Sequence, residues 1–218
     1  MEAISQAGAA VGMKTRSGVT IAAERRILSK LLESSEKEKT YYINEHIAVA
    51  VAGISSDANI LVNYARVVAQ RHLFTYGEPI PVEQLVQAVC DQKQGYTQFG
   101  GLRPYGVSFL IGGWDKEFGF QLYQSDPAGN YTAWKATAIG NNAQSAHALL
   151  KSEYVETLKC EEGRELILKI LRKSMDKTQL MPENIEMLEI NKDLYSQNVI
   201  IRMLTRDEIH AACSKINL

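Results

Sequence analysis

Long apolar runs are missing from this chain of 218 residues. None approaches the roughly 18 consecutive apolar residues that suggest a membrane span, so no membrane partner is expected. An excess of charge of one sign is missing too: 24 Lys plus Arg stand against 25 Asp plus Glu, a formal net charge of -1. That balance excludes a globally basic nucleic-acid binder and argues against a highly charged disordered chain. Cysteine is scarce. Cys90, Cys160 and Cys213 are odd in number and widely spaced, which is no disulfide framework and fits a reducing compartment. His46, His72, His147 and His210 are equally scattered. No CxxC, HxxxH or HxxE spacing occurs, so neither a metal nor a cofactor is expected. Residues 1–16 hold no secretory signal, because the first charge is Glu2 and the apolar stretch 7–12 is too short for one. Cytoplasm and nucleus are the expected locations.

What is present is ordinary for a globular chain: 45% apolar and 22% charged residues, long enough for one domain over 1–218 with a sizeable core. Residues 1–7 carry Ala3, Ile4 and Ala7 at helical spacing. Residues 9–14 and 19–24 read as strands joined by the hairpin signal Thr15-Arg16-Ser17-Gly18, with Gly18 free to take a positive φ. The charged run 33–39 reads as a solvated loop. Residues 41–43 and 47–52 form a second strand pair, the latter apolar enough to be buried on both faces.

Gly53 introduces a helix with Ser55 or Ser56 as N-cap and Asp57 at its positive end. Its apolar stripe runs from Ala58 to Leu73 and stops at Gly77. Pro81 fits the first turn of the next helix, which buries Leu85, Val86, Val89 and Cys90 and fades near Gly95. Cys90 and His72 are poor candidates for a nucleophile pair, since Cys90 lies on that apolar side. Strands follow at 106–112, 118–124 and 131–139 as a meander, with turns at 114–116 and 125–130. Helices are expected at 142–158, 162–175 and 207–216, with a strand pair at 184–190 and 199–204 before the last. Strands thus alternate with helix pairs that each need a sheet face to cover. The economical answer is an α+β fold, a four-layer α-β-β-α sandwich of two stacked antiparallel sheets.

Specific residues sharpen this. The run from Tyr96 to Val107, with Arg103-Pro104-Tyr105-Gly106-Val107 at its end, resembles a segment of the α-type subunits of the proteasome. So do Gly112-Gly113-Trp114-Asp115, the run Ser125-Asp126-Pro127-Ala128-Gly129-Asn130, Trp134-Lys135-Ala136 and Ile139-Gly140-Asn141-Asn142. Glu2-Ala3-Ile4 and Ala22-Ala23-Glu24-Arg25-Arg26 match at the front. Each motif alone is turn chemistry first; their order along nearly the whole chain carries the resemblance.

The resemblance implies an N-terminal-nucleophile hydrolase-like fold. Catalytic members of that family attack with an N-terminal Thr whose own amine serves as base. Val11-Gly12 and the Ser17-Gly18 hairpin put Gly8 where that Thr would stand, Glu24 where an Asp would stand, and Lys39 near the supporting Lys. Glycine has no nucleophile, so the resemblance implies a non-catalytic subunit of the outer heptameric ring. Its partners would be other α-type and β-type subunits and the C-terminal tails of activators or regulatory ATPases. The tail pocket would hold Lys39, an ammonium suited to a carboxylate, and Gly53, whose backbone can approach a ligand. Family α subunits carry a gate-forming extension before Glu-Ala-Ile. A chain starting at Met1 is expected to pack in a ring without a normal gate tail. Two other readings stay open: an active hydrolase exposed by processing, and a freestanding binding domain.

Overall fold

The computed structural model describes residues 2–25, 39–174, 181–193 and 198–215. A short helix, α1 (Glu2–Ser5), leads into β1 (Ala10–Lys14) and β2 (Gly18–Glu24). Their hairpin closes when Thr15 donates both its N–H (2.8 Å) and its hydroxyl (3.1 Å) to the Gly18 carbonyl. Gly18 keeps a negative or extended φ, contrary to expectation. Glycine is needed there because a Cβ would collide with the Ile190 carbonyl and the Asn191 side chain.

Next come β3 (Thr40–Tyr42), β4 (Ile47–Gly53), α2 (Ser55–Tyr76) and α3 (Val82–Gln98). The residue capping α2 is Ile54, without a side-chain cap, so Ser55 and Ser56 fall inside the helix. Pro81 is the N-cap of α3 and stands just outside its first turn. The helix runs past Gly95 because the Phe99 N–H still reaches the Gly95 carbonyl, 3.1 Å away. Expected positions for the strand around Trp114 also shift. β5 (Val107–Asp115) includes Trp114 and Asp115, and β6 (Gly119–Ser125) follows a tighter turn.

The largest departure is at 131–139. The expected single strand is two, β7 (Tyr131–Ala133) and β8 (Ala136–Ile139), which belong to different sheets. The Trp134 N–H bonds the Leu122 carbonyl (2.8 Å), while the Lys135 carbonyl accepts from the Lys14 N–H (2.7 Å). The chain therefore crosses between sheets over two residues. The second helical group is α4 (Ala143–Glu153), shorter than expected, and α5 (Cys160–Ser174). β9 (Ile185–Lys192), β10 (Val199–Met203) and α6 (Arg206–Lys215) end the described chain. The loop expected at 33–38 and the helix residues Met175 and Ile216 lie outside the described residues.

The sheets have orders β10-β9-β2-β1-β8 and β3-β4-β5-β6-β7, and every pairing is antiparallel. Three apolar layers hold them. α2 and α3 cover one sheet through Leu61, Leu85, Val89 and Phe109. α4, α5 and α6 cover the other through Leu150, Ile167, Leu171 and Ile209. Between the sheets lie Val19, Ile21, Ala50, Leu110 and Leu188. Strand alternation explains β4: Ile47, Val49 and Val51 face α2 and α3, while Ala48, Ala50 and Ala52 face the other sheet. Small residues on that inner face let two sheets approach without voids. The expected four-layer α-β-β-α sandwich is what forms.

Candidate functional site

One end of the sandwich gathers the residues singled out in the sequence. Gly8 lies two residues before β1 at this end. A Cβ on Gly8 would stand 2.6 Å from the Glu24 carbonyl oxygen, closer than real Cβ atoms come to such an atom. Glu24 is buried, and its carboxylate accepts the Ala9 N–H at 3.3 Å, while the two main chains pair through the Glu24 N–H and the Ala9 carbonyl at 2.7 Å. The position thus lacks a side chain and lacks room for one. Gly8→Ala is expected to cost roughly 2 kcal/mol in chemical denaturation, the penalty of overpacking a site whose neighbour is main chain.

Lys39 enters the same end from the other sheet. Its N–H donates to the Glu186 carboxylate (2.8 Å), and its carbonyl accepts from the Val51 N–H (2.9 Å). The same carboxylate oxygen takes the Thr40 N–H (3.0 Å) and hydroxyl (2.9 Å). Glu186 therefore staples the first residues of β3 across the sandwich. Glu186 lies opposite Ala23, an inter-sheet residue, so alternation turns Glu24 to the other face of its sheet. The structure places Glu24 beside Gly8 and holds the Lys39 backbone through a different carboxylate.

Gly53 lies two residues beyond Val51, the partner of Lys39, so the topology brings both candidate pocket residues to one corner. Gly53 has φ +134°, a region open to glycine, and a Cβ there would strike the Gly106 carbonyl. Its requirement for glycine is met within the fold itself.

Two charged residues of this end carry more structure than their sequence contexts announce. Asp57, expected to complement the α2 N-terminus, accepts a two-pronged Arg103 guanidinium at 2.7 and 2.8 Å and the Gly106 N–H at 2.8 Å. The Arg103 bonds, ahead of burial, hold the Asp57 carboxyl below its usual range. The Arg103-to-Val107 motif is thus tied to a carboxylate far away in sequence. Lys93 is the second. It is fully buried, with Nζ donating to the Val107 carbonyl (3.1 Å), Ser125 hydroxyl (2.8 Å) and Asp126 carbonyl (3.3 Å). Its ammonium also lies 4.5 Å from the centre of the Phe109 ring. Burial lowers its pKa to about 8.

Cys90 shows no sign of a nucleophile. Burial pushes its thiol up to about 11, opposite to what an activated thiolate needs. His72 stacks on Tyr76, with ring centres 4.6 Å apart. Among the described residues, no group of His, Cys, Asp and Glu is arranged to hold a metal ion, and no helix is long and apolar enough to cross a membrane.

Two stacked antiparallel sheets between helix layers agree with the α+β sandwich of the proteasome subunits. The proteasome subunit family model matches residues 4–190, and the chain belongs to that family. It is 57% identical over 191 residues to proteasome subunit alpha type-4 of Petunia hybrida, covering 87% of this chain and 77% of that protein. It is 58% identical over 191 residues to the alpha type-4 subunit of Spinacia oleracea and to alpha type-4-A of Arabidopsis thaliana, covering 87% of this chain and 76% of each. Type 4 is also the type that Gln98-Phe99-Gly100-Gly101 and Ile139-Gly140-Asn141-Asn142 most resemble.

Proposed function

We propose that this chain is a non-catalytic α-type subunit of the proteasome core particle, a single domain over residues 1–218. It takes a place in the outer heptameric ring, stacks on β-type subunits, and contributes to ubiquitin-dependent protein degradation in the cytoplasm and nucleus. The observation that supports this reading is at Gly8, where the resemblance would put the family's attacking residue: glycine offers no nucleophile, and a Cβ there would meet the Glu24 main chain.

An exposed apolar stripe supports assembly. Ile60, Val67 and Phe74 recur every seventh residue on α2, facing away from the core, and Phe74 is 93% exposed. Such a face is a liability in a monomer and an asset in a subunit. Native mass measurement after co-expression with α-type and β-type partners tests the reading. A discrete large particle containing the chain is expected, and a persistent monomer would overturn it. A fluorogenic-peptide assay on the purified chain is expected to show no turnover. Fractionation of cells for the endogenous chain is expected to find it in both compartments.

Regulator docking is assigned to the corner holding Lys39 and Gly53. The Lys39 main chain is fixed by Glu186 and Val51, so its side chain starts from a rigid base at a sheet edge. A Lys there offers a point charge to a C-terminal carboxylate of an activator or regulatory ATPase. In assembled particles, Lys39→Ala is expected to weaken binding of an activator tail peptide by about tenfold. Unchanged affinity by fluorescence anisotropy would remove Lys39 from the pocket.

A further inference from the structure

The opposite end of the sandwich holds a feature the family reading leaves unused. Here the two sheets part around a cleft of about 750 Å³, bounded by the β3–β4 turn, the α2–α3 link, the β5–β6 turn and strand β10. Its apolar lining includes Tyr42, Trp114, Val199, Ile200 and Ile201. Trp114 is held in place by the Lys192 ammonium, 4.6 Å from its ring centre. Among the described residues, carboxylates of Glu45, Glu78, Asp115 and Glu117 border the space, against the ammonium groups of Lys116 and of Lys192 beside Trp114. Asp115 already accepts from Val82, Glu117, Phe118 and Gln121, so Glu45, Glu78 and Glu117 carry the acidic border. His46 adds no positive charge at neutral pH, because burial holds its pKa below the ordinary value while its Nε2 donates to the Ile80 carbonyl at 2.8 Å.

β10 is an edge strand, and its pattern of hydrogen bonds shows which groups are free for a partner. The Asp193 N–H reaches the Asn198 carbonyl (2.8 Å) and the Leu204 N–H reaches the Met187 carbonyl (2.9 Å). In an antiparallel ladder this phase turns the main-chain groups of every second residue toward β9 and those of Val199, Ile201 and Met203 outward. Among the described residues no further strand pairs there. Edge strands are ordinarily guarded by charge or proline. The one charge on β10, Arg202, is drawn away to Glu208 (2.6 Å) and Glu189 (3.5 Å). On β3, the edge strand of the other sheet beside this cleft, two outward groups already have partners: the Thr40 N–H has Glu186 (3.0 Å) and the Tyr42 carbonyl has Arg66 (2.9 Å).

We propose that the β10 edge and its cleft form a docking site for an extended segment of a neighbouring polypeptide, which adds a strand to β10 while placing an apolar side chain against Trp114 and Lys or Arg residues among the carboxylates. Main-chain pairing supplies affinity and the acidic border selects the sequence. Only the source of the segment, a fellow subunit, rests on the proteasome reading.

The test uses the isolated full chain and a short blocked peptide of alternating valine and lysine with a central tryptophan. A counterpart carries glutamate for every lysine. The lysine peptide is expected to bind at least about tenfold more tightly, to weaken as salt rises, and to slow amide exchange at Val199, Ile201 and Met203. Ile201→Pro removes an outward N–H without touching the β9 ladder and is expected to weaken binding about tenfold. The double variant Glu78→Lys, Glu117→Lys leaves the backbone intact and is expected to do the same. Equal binding of both peptides, no binding, or protection confined to another strand would overturn the proposal. A chain that binds the lysine peptide yet stays monomeric beside its partners would overturn the subunit reading and leave this one standing.

Discussion

Asp57→Ala is expected to destabilise the fold by about 3 kcal/mol, read as a fall of about 8 °C in Tm for a chain of this size. The carboxylate is 3% exposed and serves three donors from the segment leading into β5. Truncation leaves the Gly106 N–H without its acceptor and frees Arg103, so the path from α3 to β5 loses its anchor. That segment also supplies the carbonyl packed against Gly53 and bonded by the Ile54 N–H at 3.0 Å. Arg103→Ala is expected to cost much less, because the guanidinium is 65% exposed and the Gly106 bond survives. Asp57→Asn is expected to fall between, keeping an acceptor for Gly106 while losing the ion pair.

The pH dependence of this clasp has a definite sign. Its partners lower the Asp57 pKa in the folded chain. The stabilisation is therefore fully present above the unfolded carboxyl pKa, near 4, and is lost as pH falls through the lower folded value. Acid titration of wild type and Asp57→Asn, followed by circular dichroism, is expected to give curves that converge toward low pH. Parallel curves would mean that the ion pair contributes nothing to acid stability.

The layers of this fold were legible because they rest on periodicity. Val49 and Ala50 alternate as a strand buried on both faces must, and Leu61, Val62 and Ala65 repeat as a helix on a sheet must. What escaped depends on contacts between distant segments. Nothing in Tyr131 to Ile139 announces that the chain changes sheets at Trp134 and Lys135; the partners that force it, Leu122 and Lys14, lie in other strands. Leu73 continues the stripe of α2 in sequence but is 42% exposed, since the buried positions of that helix end at Ala69. Arg103 reads as turn chemistry until Asp57 stands beside it. At the candidate site, Gly8 and Glu24 were singled out only through the family resemblance, whereas Glu186, the acid that holds the Lys39 N–H, comes from the far end of the chain. Lys93 did leave a signal. It falls four residues after Val89 and three after Cys90, on the buried face of α3, where its charge alone argues for solvent.

That buried ammonium yields the second large effect. Lys93 titrates near 8 when folded, against an ordinary value of 10.5, because burial penalises the charged form. The unfolded chain therefore binds more protons than the folded chain between these values, and stability rises with pH across them. The full rise from this group is about 3 kcal/mol. Cys90, its neighbour on α3, opposes it. Its folded pKa of about 11 exceeds the ordinary 9.0, so its contribution is complete below 9.0 and declines as pH rises toward 11. The two slopes add to a distinctive profile: unfolding free energy climbing by roughly 0.6 kcal/mol from pH 8 to 9, then flattening. Cys90→Ala is expected to extend the climb toward pH 10.5, the ordinary Lys value. Lys93→Met is expected to abolish the climb. It removes a desolvated charge but leaves Ser125 and two carbonyls without their donor, so at neutral pH the gain and the loss offset in part. Urea denaturation of the three proteins at half-unit intervals of pH separates these effects. A wild-type profile that is flat or falling between pH 8 and 9 would show that the ammonium is not penalised as its surroundings require.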